Sequence, residues 1–321
     1  MMPTKVLVVG GAGYIGGAVT DELMSRGNYD FLVYDNLLYE EVYRKNVNFV
    51  FGDVLNTDQL KPHLEWADAV LWLAAIVGDG ACTLDPILTT RTNQEAVAWL
   101  ADNYEGRIIF TSTCSVYGAQ SELLDEASPT KPLSLYAGTK LNAEKYLRDK
   151  NALVVRLGTL YGVSDLFSRV RFDLVVNYMT AHAFTHQEIN VYGGEQYRPL
   201  VNVRDVARLL VDGIDESQTG IYNIVQENIR ILDLAYKIRN HFPTLTVNTT
   251  DMPFEDTRNY RVSSEKVRAA FNFVPIHSID EAVEELRYLM ASKKIKHWAD
   301  DRYSNERFLK QSLAKEESRS V

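Results

Sequence analysis

Apolar and polar positions alternate along the first half of the chain on the scale of whole elements. Short runs rich in Val, Ile, Leu and aromatics recur at KVLVVG (5–10), FLVYD (31–35), NFVFGD (48–53), AVLWLAA (69–75), RIIFTS (107–112) and ALVVRLG (152–158). They are near-continuous apolar strings, the pattern of strands covered on both faces. Between them lie stretches with helical spacing, such as YIGGAVTDELMSRG, ending at Gly27, and NQEAVAWLADNY. This repetition predicts an α/β fold with a doubly wound parallel sheet over residues 1–160.

After Tyr161-Gly162 the texture changes. VRDVARLLVDGI (203–214), IRILDLAYKIRNHF (229–242) and IDEAVEELRYLMASKK (279–294) carry helical spacing within mixed sequence. A smaller C-terminal α/β domain over 161–300 is expected, folded back on the first and partly interleaved with it. Residues 301–321 form a tail of mixed charge, for which a docked helix and a frayed end both stand open.

Composition narrows the function. The chain has 321 residues and a formal net charge of -9. An acidic balance argues against nucleic acid or a membrane surface as partner. Two cysteines, Cys82 and Cys114, make a disulfide framework implausible and a reducing cytoplasm the expected compartment. The start, MMPTKVLVVGG, does not read as a signal peptide, and no apolar run nears the roughly 20 residues of a membrane span. His182 and His186 are four apart, but no third ligand stands at a matching position, so no metal is expected.

GGAGYIG places Gly10, Gly13 and Gly16, with Tyr14 and Ile15 between them, directly after the first strand and at the start of a helix. Glycines there permit a tight turn, close approach to a pyrophosphate, and close packing of helix on sheet. Asp35 ends the next apolar run near the offset of about 20 residues expected for a ribose-binding carboxylate. A carboxylate at that place accepts from ribose hydroxyls and repels a 2′-phosphate. Asn36 follows and no Arg appears before Arg44, so NAD is expected over NADP. Asp53 and Val54, after the third run, are placed to meet the adenine.

Tyr136 and Lys140 in YAGTK are four apart, on one face of a helix. Bringing a phenol from about 10 to about 7 takes roughly 4 kcal/mol of preference for the phenolate. A neighbouring ammonium and a nicotinamide cation are expected to supply it.

The order GGAGYIG, YDNL, GDV, LAA, TSTCSVYG, YAGTK, RLGTLYG and RPLVNVRDVA resembles an extended short-chain dehydrogenase/reductase, more narrowly the NAD-dependent nucleotide-sugar epimerase/dehydratase family. The resemblance runs from Lys5 to about Leu289. It implies a Rossmann domain, a smaller sugar-nucleotide domain, a nucleotide-diphosphate sugar as substrate, and a homodimer built on helices that include the one bearing Tyr136. It implies that Thr113 holds the sugar hydroxyl, that Tyr136 takes its proton, and that Lys140 tunes Tyr136 and holds the nicotinamide ribose. It places Leu73, Ala74, Ala75 and Asn93 beside the cofactor and Arg198 and Arg258 on the substrate diphosphate. Asp173 or Asn177 is expected to reach the substrate. Two stretches, AAIVGDGACTLDP and RVRFDLVVNYMTAHAF, are similar to a subgroup acting on unusual nucleotide sugars, including nucleotide-heptose 4-dehydrogenases.

Family dehydratases resemble the pattern Thr-Asp-Glu after this strand, and family decarboxylases keep a glutamate two residues before the tyrosine of VYG. Here Cys114 and Ser115 occupy those places. The chemistry the resemblance leaves is therefore hydride transfer at one carbinol, expected at C4, by a 4-epimerase, a 4-dehydrogenase or a 4-ketoreductase. A dinucleotide-sensing interaction protein on the same fold is the alternative, though it has no use for Thr113, Tyr136 and Lys140.

Overall fold

A computed structural model of the chain describes residues 2–250 and 259–319. In chain order the strands are β1 (Thr4–Val9), β2 (Tyr29–Asp35), β3 (Asn48–Phe51), β4 (Ala69–Trp72), β5 (Arg107–Thr113), β6 (Leu123–Leu124), β7 (Ala152–Leu157), β8 (Thr159–Tyr161), β9 (Glu188–Tyr192), β10 (Tyr197–Asn202), β11 (Gly220–Ile224), β12 (Glu227–Arg230), β13 (Thr246–Thr250) and β14 (Arg261–Val262). Seven of them form a parallel sheet in the order β11-β7-β5-β4-β1-β2-β3. Every residue of β5 and β7 is buried, as their near-continuous apolar runs predict.

The helices are α1 (Tyr14–Arg26), α2 (Thr57–Trp66), α3 (Asp79–Leu84), α4 (Pro86–Thr90), α5 (Ala96–Asn103), α6 (Leu135–Tyr146), α7 (Val175–His186), α8 (Val203–Asp215), α9 (Ile231–Arg239), α10 (Glu265–Phe271), α11 (Ile279–Ala291) and α12 (Asn305–Arg319). Gly27 ends α1 in the left-handed region, where its backbone N–H caps Leu23.

The two parts interleave more deeply than a boundary at 160 implies. Strand β11 closes the large sheet against β7, and α8 packs on α1. The intervening chain builds a second layer from the β12-β10-β8 and β13-β9 sheets under α7, α9 and α11. Two predicted helices begin differently. The stretch from Asn93 starts in a π-helical turn, Arg91–Glu95, before α5, and the stretch from Ile229 opens as part of β12 before α9.

Sequential order reverses between β1 and β4, so the connections leaving their carboxyl ends part and open a crevice. The residues at the ends of β1, β2, β4 and β5 line it. No helix among the described residues is long and apolar enough to cross a membrane.

Candidate active site

A continuous cleft of about 1440 Å³ runs across the carboxyl edge of the large sheet and on between the two layers. Pockets for one small ligand span about 300–1,000 Å³, so this one accommodates a dinucleotide and a second ligand. Gly10, Gly13, Tyr14, Ile15, Gly16, Asp35, Asn36, Asp53, Val54, Leu73, Ala74 and Ala75 all line it.

Gly10 has φ +83°, and a Cβ there would meet the Ala74 backbone nitrogen at 2.5 Å. Only glycine lets the turn pass under the end of β4. Asp35 fixes the turn from the other side: its carboxylate accepts the N–H groups of Ala12 at 3.0 Å and Leu37 at 2.7 Å. Burial still pushes its carboxyl above the ordinary range, against those two N–H groups. Asn36 Nδ2 donates to Asp53 Oδ2 at 2.9 Å, which joins the two predicted adenosine residues at one end of the cleft. The Tyr14 hydroxyl turns away and donates to the Gly162 carbonyl at 2.7 Å, so only its ring edges the cleft.

At the other end α6 delivers the catalytic candidates. Ser134 caps this helix, its hydroxyl accepting the Ala137 N–H at 3.3 Å. Three side chains one turn apart, Tyr136, Lys140 and Glu144, then face the end of β5. Tyr136 meets the Thr113 hydroxyl, Lys140 Nζ donates to the Thr111 carbonyl at 2.9 Å, and Glu144 accepts from Ser112 Oγ at 2.5 Å. Thr113 Oγ1 also accepts the Ser115 N–H at 3.1 Å. Behind this ladder Arg156 of β7 pairs with Glu144 through two bonds, of 2.7 and 3.0 Å, and reaches the Tyr117 hydroxyl at 2.9 Å. The buried pair locks α6 to the sheet.

Burial dominates the titration of Tyr136 and Lys140. It pushes the Tyr136 phenol well above its ordinary value, aided by the Cys82 thiol and Asp79 and opposed by Arg171 and the Thr113 hydroxyl. It lowers Lys140 to about 8. Lys140 is directed at the Thr111 carbonyl and the Phe110 ring, 4.7 Å away.

Two of the expected site residues lie behind the cleft lining. Asn93 is fully buried and does not line the cleft; its Oδ1 accepts the Ile76 N–H at 2.8 Å and its Nδ2 donates to the Ile76 carbonyl at 2.9 Å. It shapes the loop after β4 rather than touching a ligand. Asn177 is likewise fully buried, spent on the Gly162 N–H and carbonyl and on the Arg171 carbonyl, each at 2.9 Å. Asp173, its alternative, does line the cleft, held bidentate by Arg171 at 2.8 Å. Arg198 lines the part of the cleft beyond Tyr136, away from the glycine turn, and donates to the Tyr197 carbonyl at 3.0 Å. Arg258 lies outside the described residues. His182 and His186 stack beside Trp298, and among the described residues no cluster of His, Cys, Asp or Glu has metal-site geometry.

Comparison with known proteins accounts for this geometry. The model of the NAD dependent epimerase/dehydratase family matches residues 6–225. The chain belongs to that family. Family membership makes NAD the cofactor, and the glycine turn, the Asp35 carboxylate and the length of the cleft fit it. The chain is 28% identical to ADP-L-glycero-D-manno-heptose-6-epimerase of Alkalilimnicola ehrlichii, over 68% of this chain and 74% of that protein. It is 24% identical to UDP-glucuronic acid decarboxylase 1 of Danio rerio, over 93% of this chain and 75% of that one. The structure resembles UDP-glucose 4-epimerase from Thermotoga maritima, solved with UDP-glucose, at TM-score 0.79 and 22% identity, covering 91% of this chain and 100% of the epimerase.

Some residues that support or line this family member's cleft are not marked by any sequence pattern. Glu144 was visible as a third residue on the Tyr136 stripe and Arg156 as a charge inside an apolar strand, but nothing in the sequence paired them. Asp79, Glu40, Arg169 and Arg171 all line the cleft. Burial pushes Glu40 up to about 7, against the Arg169 N–H that it accepts at 3.1 Å. Glu40, Arg169 and Arg171 come from loops and Asp79 from the first position of a short helix, where no periodicity signals direction.

Proposed function

We propose that the protein is an NAD-dependent nucleotide-sugar enzyme that oxidises one ring hydroxyl, at C4, as a 4-epimerase or 4-dehydrogenase. The observation that carries this reading is the convergence of Thr113, Tyr136 and Lys140 where the dinucleotide half of the cleft meets the half lined by Arg198. NAD, when bound, supplies the hydride acceptor. Thr113 holds the sugar hydroxyl, and Tyr136, brought to the phenolate by the positive charge that bound NAD would add beside it, takes its proton as the C–H hydrogen leaves as hydride, so that the carbinol becomes a ketone. Lys140, fixed on the floor of the cleft, presents its remaining donors to the nicotinamide ribose. Arg198 supports the diphosphate, for which a guanidinium fork is suited. In an epimerase the hydride returns to the opposite face of the carbonyl carbon and Tyr136 gives the proton back to its oxygen; in a dehydrogenase the ketosugar departs.

The two residues after Thr113 disfavour elimination and decarboxylation. Cys114 is fully buried, its thiol pushed up by burial and aimed at the Arg156 carbonyl at 3.3 Å, and Ser115 carries no charge. A second copy of the chain is proposed to dock around α4 and α6, where Ile87, Leu133 and Tyr146 are exposed. The test is Tyr136→Phe, assayed against UDP-, GDP-, dTDP-, ADP- and CDP-sugars with product analysis. Turnover is expected to fall by about 10²–10⁴-fold while NAD affinity is kept. Full activity in that variant, or release of water or carbon dioxide by the unaltered protein, would falsify the reading.

A further inference from the structure

The segment after α11 docks, and it docks at the reaction end of the cleft. Trp298 sits among rings of Phe172, Tyr178, His182 and His186, with centroids 5.8–6.5 Å away, and its Nε1 donates to Thr185 Oγ1 at 2.8 Å. The Tyr303 carbonyl accepts the Phe172 N–H at 3.0 Å. Asn305, 4% exposed, then joins three parts of the cleft wall. Its N–H donates to Asp173 Oδ2 at 3.0 Å, its Nδ2 donates to the Val77 carbonyl at 2.9 Å, and its Oδ1 accepts from Arg169. One turn on, Leu309 is fully buried against Ile76, Ala81 and Cys82, in the apolar cluster that also holds Tyr136 and Leu313. Glu306, Ser312 and Leu313 line the same cleft as Tyr136.

We propose that α12 is the outer wall of the reaction chamber. It screens the nicotinamide and the reacting sugar carbon from water. Asn305 and Leu309 are the positioning residues that fix it there. A dry chamber strengthens every polar interaction within it and protects a ketosugar from exchange with solvent. The proposal rests on the nucleotide-sugar reading above.

The test uses NADH and N-ethylmaleimide as probes on three proteins: the full chain, a chain ending at Tyr303, and full-length Leu309→Asp. Acrylamide quenching of bound NADH reports solvent access to the nicotinamide. Peptide mapping of the labelled thiols separates Cys82, beneath Leu309, from Cys114, fully buried in a different cluster. The expected result is quenching that rises by about threefold or more in both variants, as the water-excluding wall is lost. Cys82 labelling should rise by about tenfold, as local opening exposes it, while Cys114 stays protected. Should the shortened chain expose Cys114 and so have lost its core, Leu309→Asp decides. Quenching and Cys82 labelling at the full-chain level in the variants with a protected Cys114, or exposure of Cys114 in Leu309→Asp as well, overturns the proposal. Failure of the full chain to bind NADH instead overturns the cofactor reading beneath it.

Discussion

At the scale of single residues, Lys140 shows function set against stability. Its ammonium is buried, and burial lowers it from 10.5 to about 8. The folded state therefore binds its proton less readily than the unfolded chain does. The resulting penalty is fully present below pH 8 and fades as pH rises toward 10.5, because across that window the unfolded chain holds the extra proton. Lys140→Met is expected to abolish turnover yet stabilise the fold by about 1–2 kcal/mol at neutral pH. Urea unfolding at pH 7 and pH 10 checks this: the gap between variant and parent should shrink at the higher pH. No reading of the sequence fixes the sign, because YAGTK shows the four-residue spacing but not the burial.

At the scale of elements, helix ends are held by ion clusters that also titrate. His241, just after α9, bridges to α11 through Glu284 at 2.6 Å and Asp280 at 2.8 Å. Lys237 and Arg287 share those carboxylates. Although burial acts to lower it, the bonds to Asp280 and Glu284 raise His241 above its ordinary 6.5. The clamp's stability is thus fully present below the unfolded value and is lost as pH rises through the folded one. The cluster is largely open to solvent, so about 0.5 kcal/mol is expected after screening. His241→Asn should remove that part of the fall in melting temperature between pH 6 and pH 8, which calorimetry at both pH values measures. The helical periods of α9 and α11 were legible from 229–242 and 279–294, whereas their crossing, which brings His241 between two carboxylates, was not.

At the scale of the whole molecule, a buried lysine joins the dinucleotide helix to the chain of the second layer. Lys45 Nζ contacts Asp165 Oδ2 at 2.8 Å, Asp21 Oδ1 at 2.7 Å, Thr20 Oγ1 at 2.7 Å and the Gly17 carbonyl at 2.8 Å. Asp165 is almost wholly buried, so Lys45→Met leaves a carboxylate without its counter-charge. A loss of about 3–5 kcal/mol is expected, read as a lower urea midpoint. Asp165→Asn in the same chain should recover part of it, since the orphaned charge is then gone. Lys45 and Asp165 are 120 residues apart in irregular segments, where neither pattern nor spacing points one at the other.

The sequence by itself determined the parallel sheet, the glycine turn after β1, the carboxylate that ends β2 and the Tyr136–Lys140 spacing. Each is a local consequence of period or backbone freedom. Only the tertiary structure decided that Asn93 and Asn177 are spent on main-chain groups, that β11 completes the sheet, and that the C-terminal tail becomes a wall beside Tyr136. The physical reason is the same in each case. A buried polar group takes whichever partner the packing brings within hydrogen-bond reach, and those partners come from distant parts of the chain.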